Sequence, residues 1–246
     1  MVSLLDIHNT YKLKQLNNGG MDKEIPKKIA RLYNPILGKF RITPIKILEI
    51  GVRVGGSTKL WLSLLQNADF YALDNGTNIF LDSIENTPIL NNFTFMNLDV
   101  YSKEAVSQIP DDHDFVIDDG PHTLESQKYF IKNYIYKLKK LGIIFVEDIQ
   151  ASHWLDELIL VIPRDFRGCI RIVDLRRETG VGDALVLVIH NCNPEDCTIE
   201  IENRDLNRKM VRLVALLRIR KISYLIKRLL LKMRWKSRNV LGPKVN

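Results

Sequence analysis

The sequence predicts an α/β fold: a Rossmann-like, mostly parallel seven-stranded sheet with the last strand antiparallel and helices on both faces. A helical N-terminal extension precedes it and a basic helical tail follows it. Three observations predict this. Seven short apolar runs of strand length punctuate residues 45–190. Helical periodicity fills several of the gaps between them. A glycine-rich turn joins the first run to the first of those helices.

Residues 1–40 form the extension. Leu4, Leu5, Ile7, Tyr11, Leu13 and Leu16 give an approximate helical stripe, which Asn17-Asn18-Gly19-Gly20 ends. A second helix is predicted around Lys27 to Leu37, with Pro26 near its first turn. The central domain spans 41–192. IKILEI is a short buried strand, GVRVGGS a glycine-rich turn, and TKLWLSLL the start of a helix. ADFYALD, FTFMNLD, DFVIDDG and LGIIFVED are further strands, each with an acid at or near its end; a helix from about Thr123 to Lys139 precedes the last of these. CIRIVDL and ALVLVIH, separated by the turn-like ETGVGD, are close enough to pair antiparallel at a sheet edge. The loop NCNPEDC leads into the tail, 193–246, helical from about Arg204 to Trp235.

The chain has 246 residues, 46% hydrophobic and 26% charged, ample for one buried core. Its net charge of +7 is unevenly spread, with +13 on 204–246 and −6 on the remainder. An acidic body is poorly suited to holding a phosphate backbone, so nucleic acid is not the expected partner. RLVALLRIRKISYLIKRLLLKMRW suits packing on its own domain or a dimer mate, with contact to an anionic membrane surface or to nucleic acid as the alternatives. Cys169, Cys192 and Cys197 describe no disulfide framework, which points to a reducing, cytoplasmic setting. No signal peptide and no transmembrane run of about 18 apolar residues is read.

The strongest local signal is Leu48-Glu49-Ile50-Gly51-Val52-Arg53-Val54-Gly55-Gly56-Ser57, a strand running through glycines into a helix. Gly51, Arg53, Gly55 and Ser57 let a ligand sit against the chain at the helix N-terminus. Such turns also serve NAD and FAD. Glu49 shifts the balance, because a carboxylate at the strand end suits the sulfonium and amine of S-adenosyl-L-methionine and suits a pyrophosphate badly. Asp74, at the end of the next strand, can accept from both ribose hydroxyls. Asp99, at the end of the third, can accept from the adenine amino group. The competing reading of any one such acid is a cap for a helix or turn.

From about Met21 to His190 the sequence resembles the metal-dependent sugar O-methyltransferases that modify macrolides, and their relatives described as cephalosporin hydroxylases. Met21-Asp22-Lys23 with Tyr33, the block LEIGVRVGGSTKLW, and DDGPHT with FVEDIQ carry the resemblance. It implies S-adenosyl-L-methionine as donor, S-adenosyl-L-homocysteine as product, and a divalent cation, commonly magnesium. It further implies Asp119, Glu147 and Asp148 as metal ligands and His122 as general base. Pro121, where Ser is frequent, and His153, where Tyr is, depart from the family and concern the shape of the acceptor pocket.

Read as residues, Asp118-Asp119-Gly120-Pro121-His122 and Glu147-Asp148 end the fourth and fifth strands, which line the ligand crevice of an open α/β sheet. Four carboxylates and one imidazole aimed at one place are unfavourable unless a cation compensates. Oxygen ligands suit magnesium, calcium or manganese. A vicinal diol can chelate such an ion, and His122 can then take the hydroxyl proton; the alternative for His122 is a cap on the following helix. Alternation along a strand sets Asp118 away from the metal and toward cofactor or turn, and raises the same objection to Glu147 and Asp148 acting together, unless the backbone turns there. The function expected is methylation of a sugar hydroxyl. A ribose methyltransferase acting on RNA, a catechol methyltransferase and a non-catalytic cofactor-binding protein are the competing expectations.

Overall fold

The computed structural model describes Leu32, Tyr33, Phe40, residues 43–53, Gly55, Ser57, Thr58, Trp61, Leu62, Leu65, and residues 67–76, 92–180 and 182–192. Of the two units into which the chain divides, Met1–Asn203 and Arg204–Asn246, all of these lie in the first. The N-terminal helices, apart from Leu32, Tyr33 and Phe40, and the basic tail fall outside the described residues.

Seven strands form one sheet: β1 (Ile45–Ile50), β2 (Ala68–Asp74), β3 (Phe93–Asn97), β4 (His113–Asp118), β5 (Leu138–Val146), β6 (Cys169–Asp174) and β7 (Leu185–His190). Their order is β3-β2-β1-β4-β5-β7-β6. Neighbours from β3 through β5 pair in parallel, while β7 runs antiparallel to both β5 and β6. The expected Rossmann-like sheet is therefore present, with β6 rather than β7 at the edge. Every residue of β4 and β7 is buried, as expected of strands covered on both faces. Edge strand β3 is less covered, with Phe93, Phe95 and Met96 half-buried and Thr94 and Asn97 exposed.

The helices include α1 (Lys103–Gln108), α2 (Leu124–Tyr134), α3 (Trp154–Val161) and α4 (Arg176–Thr179). α4 occupies part of ETGVGD, read above as a simple turn, and ends at Gly180 in the left-handed conformation. One core cluster joins Ile47, Phe70, Phe115 and Phe145 to the segment before the sheet. The Tyr33 ring lies 4.7 Å from that of Trp61 and 5.0 Å from that of Phe145.

The helix expected from Thr123 to Lys139 is shorter. α2 ends at Tyr134, a 3-10 turn covers Ile135–Lys137, and β5 begins at Leu138. Lys139 and Lys140 read locally as a solvated helical face. In the fold, Leu138 pairs with His113, and Lys139 forms an ion pair with the nearly buried Asp114. Those partners are distant in sequence and leave no local trace.

The tips of β2, β1, β4 and β5 are stitched together. The Gly51 amide donates to Leu73 O (2.9 Å), Asp119 N to Ile50 O (2.9 Å), and Glu147 N to Asp118 O (3.0 Å). Gly51 has φ +86°, and a Cβ there would stand 2.1 Å from the Asp119 carbonyl oxygen. Only glycine permits that approach. At Gly120 a Cβ would meet the Tyr101 hydroxyl at 2.2 Å. Among the described residues no helix is long and apolar enough to cross a membrane.

Two stability predictions follow from these packing facts. Gly120→Ala should cost about 1–3 kcal/mol by overpacking, and a Tyr101→Phe background should recover most of it. Chemical denaturation of the two single variants and the double variant checks this; simple additivity would show that the contact is not the cause. His113 is fully buried in β4, and burial, aided by the Lys46 charge, lowers its pKa to about 4. A lowered folded pKa means stability that is complete above the unfolded value of about 6.5 and lost as pH falls through about 4. The difference corresponds to about 3 kcal/mol. Denaturation measured between those pH values should show the loss, and His113→Phe should remove most of the dependence.

Candidate functional site

β1 is the strand from which the chain order departs to both sides, with β2 on one flank and β4 on the other. The crevice beyond its C-terminal end is where open α/β sheets bind ligands. The glycine turn opens there. Gly51 and Gly55 have φ of 86° and 75°, and Arg53, not a glycine, has φ 50°. The Gly55 amide closes a tight turn on Val52 O (2.8 Å).

Glu49 is 1% exposed. Its carboxylate accepts from Thr58 Oγ1 (2.6 Å) and Trp61 Nε1 (3.2 Å). Burial raises its pKa, with the hydrogen bonds from Thr58, Ser57 and Trp61 acting in opposition. The expectation sets Glu49 against the cationic part of a donor. In the structure it fastens the strand end to the helix that leaves the glycine turn. Asp74 works from the other side: Oδ2 accepts from the amides of Val52 (2.9 Å) and Arg53 (3.0 Å), and Oδ1 from that of Gly76 (3.1 Å). A carboxylate has about four acceptor positions, so room for a ribose hydroxyl remains. Asp99 lies two residues past β3, is exposed, and accepts from Tyr101 N (3.1 Å) in a turn.

On the other flank, strand alternation separates the two adjacent aspartates. Asp118 is 2% exposed; its Oδ1 accepts from the Tyr101 hydroxyl and the Gly120 amide, both at 3.4 Å, and Oδ2 is buried with no hydrogen-bond partner. Burial raises its pKa to about 7. Asp119 turns outward. Ligand atoms of Asp119, His122 and Asp148 lie within 4.8 Å of one another. His122 Nε2 stands 3.8 Å from Asp119 Oδ1 and 4.0 Å from Asp148 Oδ2.

Backbone conformation makes this grouping. His122 and Asp148 have φ of 56° and 50°, left-handed values that cost L-residues of order 1 kcal/mol each. β5 ends at Val146, and the turn at Asp148 brings that side chain to Asp119 and His122. Glu147 is buried and is not among the three grouped side chains; its carbonyl accepts from Gln127 Nε2 (2.8 Å). The helix cap considered for His122 falls to its neighbour: Thr123 caps α2, in a reciprocal pair of bonds with Ser126. His153 is exposed at the start of α3.

Thr58, Trp61, Tyr101 and Gln127 are the site residues that sequence reasoning passed over. Thr58 and Trp61 are three apart, hence on one helical face toward Glu49, a spacing visible in TKLW. Tyr101 and Gln127 meet the strand tips only through tertiary packing.

The glycine turn could hold a ligand against its backbone, and Asp119, His122 and Asp148 could hold a hard divalent ion. Residues 48–149 match the family model described as a methyltransferase domain. A comparison with curated proteins finds no match. Among solved structures, the chain is similar to the MycE methyltransferase of the mycinamycin biosynthetic pathway, in a complex with Mg, SAH and mycinamycin VI. The identity is 17%, the coverage 76% of this chain and 56% of that one, and the TM-score 0.52. This chain thus spans little more than half of MycE. It is also similar to an S-adenosylmethionine-dependent O-methyltransferase from Thermotoga maritima, at 12% identity over 80% of this chain and 73% of that one, with a TM-score of 0.57. A third is precorrin-6y C5,15-methyltransferase from Geobacter metallireducens, at 16% identity over 70% of this chain and 93% of that one, with a TM-score of 0.51. Residues 48–149 thus match a methyltransferase-domain model, and the sheet shares its fold with solved S-adenosylmethionine-dependent methyltransferases.

Proposed function

We propose that this protein is a divalent-metal-dependent O-methyltransferase that transfers the methyl group of S-adenosyl-L-methionine to a sugar hydroxyl. The observation that carries the reading is the convergence of Asp119, His122 and Asp148 at the tips of β4 and β5, one strand from the glycine turn. Two of the three hold left-handed backbone conformations. Strain of that kind persists where the surrounding structure over-determines a functional arrangement.

Gly51, Arg53, Gly55 and Ser57 would line the donor, with Asp74 toward the ribose, Asp99 toward the adenine, and Glu49 and Asp118 holding the walls. Asp119 and Asp148 would hold the ion, with Glu147 as a neighbouring carboxylate. A bound magnesium lowers the pKa of a hydroxyl coordinated to it. His122 would serve as the base: its Nε2 lies beside the two carboxylates that would hold the ion, and it would receive the hydroxyl proton as the oxygen takes the methyl group from the sulfonium, which leaves as the thioether. The left-handed turn holds the imidazole over the crevice before substrate arrives. The likeness to MycE, in a complex with Mg, SAH and mycinamycin VI, supports a glycosylated small molecule or sugar nucleotide as the acceptor class.

Purified protein given S-adenosyl-L-methionine, a panel of sugar nucleotides and magnesium should release S-adenosyl-L-homocysteine. Chelation should abolish turnover and added magnesium should restore it; turnover indifferent to chelation would remove the metal from the reading. His122→Asn keeps a residue tolerant of left-handed φ and should lower kcat by about 10²–10⁴-fold, with donor binding retained by calorimetry. Asp148→Asn should raise the magnesium concentration needed for half-maximal rate. Unchanged kcat in the His122 variant would refute its role as base.

A further inference from the structure

The loop that leaves β5 is held from its outer flank as well as its inner one. β7 runs antiparallel to β5 and β6 antiparallel to β7, so Val146 pairs with Leu187, and Asp174 with Leu185. The connection from β6 to β7, which carries α4, therefore stands at the end of the sheet where β5 releases Glu147 and Asp148. Two side chains join the loop to that connection. Gln150 Nε2 donates to the Asp148 carbonyl (3.2 Å) and to Asp183 Oδ2 (3.1 Å). Arg176 Nη1 donates to Ser152 Oγ (2.8 Å). We propose that Gln150, oriented by Asp183, is a positioning residue that holds Asp148 in the turn from which it would ligate the divalent ion. The inference rests on the metal site of the proposed function and adds the means by which one of its ligands is set.

Asp148 has φ 50°, a conformation that persists in an L-residue only where neighbouring bonds impose it. The peptide plane that follows Asp148 is bonded at both ends. Its N–H, that of Ile149, donates to Leu185 O (3.0 Å), and its carbonyl, that of Asp148, accepts from Gln150. On the preceding side the Glu147 amide donates to Asp118 O (3.0 Å). With those groups satisfied, the Asp148 side chain is delivered to within 4.8 Å of Asp119 and His122.

The chemistry of the bridge fixes its direction. A carbonyl and a carboxylate only accept, so the two N–H groups of the Gln150 amide are matched to two acceptors. Asp183 stands on a firm base. The Leu185 amide donates to the Asp183 carbonyl, and the Leu175 amide to Ala184 O (2.8 Å). Arg176 forks onto Asp174, Nε to Oδ1 (2.8 Å) and Nη2 to Oδ2 (2.6 Å), a bidentate pair of the stronger kind. Gln150 itself is exposed, so its bonds compete with water and the effect of losing them is moderate.

The test uses the full chain stripped of metal, with manganese as a hard ion of the same preference as magnesium, its binding read by electron paramagnetic resonance. Gln150→Met keeps the length of the side chain and removes both donors. It should weaken manganese binding by about 3–10-fold, the worth of a single hydrogen bond, while calorimetric binding of S-adenosyl-L-homocysteine stays at the wild-type value. Asp183→Ala should weaken manganese binding in the same direction, and Asp183→Asn, which keeps an acceptor oxygen, should recover most of the loss. The double variant Gln150→Met/Asp183→Ala should bind no more weakly than Gln150→Met alone, because the two act as one unit. Undiminished manganese binding in Gln150→Met, with Asp148→Asn impaired, would overturn the inference and leave the metal site standing. Equal loss of S-adenosyl-L-homocysteine binding would show a general loosening and overturn it too. A wild-type chain that takes up no manganese, or an Asp148→Asn variant that binds it as tightly as wild type, removes the metal site and the inference together. If Gln150→Met does not fold, the Asp183 pair decides: equal affinities in Asp183→Ala and Asp183→Asn overturn the role.

Discussion

The site depends on one close approach. At Gly51 the backbone leaves β1 and passes so near the Asp119 carbonyl that no side chain fits between them. That contact sets the start of the glycine turn against the loop bearing Asp119 and His122. Asp74, reaching from β2 to the amides of Val52 and Arg53, closes the turn from the other flank. The glycine turn and the Asp119 loop are thus two sides of a single hydrogen-bonded seam across β2, β1, β4 and β5. Any residue with a Cβ at position 51 would separate them.

Buried carboxylates lie beneath that seam. Glu49 is held by Thr58 and Trp61, and Asp118 by Tyr101 and the Gly120 amide. Burial without full compensation pushes both toward the protonated form. Their neighbours in the crevice, Asp119 and Asp148, are more exposed and grouped with His122. Pleating produces the division: successive residues at the end of β4 point to opposite sides. One acid of the DD pair serves the wall and the other faces the crevice.

The two ends of the sheet carry different side-chain clusters. At the C-terminal tips, Asp119, His122 and Asp148 group on loops, two of them in left-handed conformations. At the far edge, Cys169, His190 and Cys192 sit on regular strands and their immediate continuation, with His190 Nε2 3.2 Å from the Leu141 carbonyl. That contrast follows from where each set lies in the topology, since strand insertion places β7 between β5 and β6 and so sets His190 beside Cys169.

The sequence by itself determined the strands, the glycine turn and the acids at the strand ends, because period and glycine placement are local properties that survive any tertiary arrangement. It also showed that DDGPHT and FVED reach one crevice. It left open which of Glu147 and Asp148 joins Asp119, because that depends on a left-handed φ at Asp148, a conformation no periodicity records. The partners of Glu49, the true start of β5 at Leu138, and the meeting of Cys169 with His190 and Cys192 were decided by tertiary structure alone. Each rests on register between segments distant in the chain, where packing and cross-strand pairing, not local preference, set the outcome.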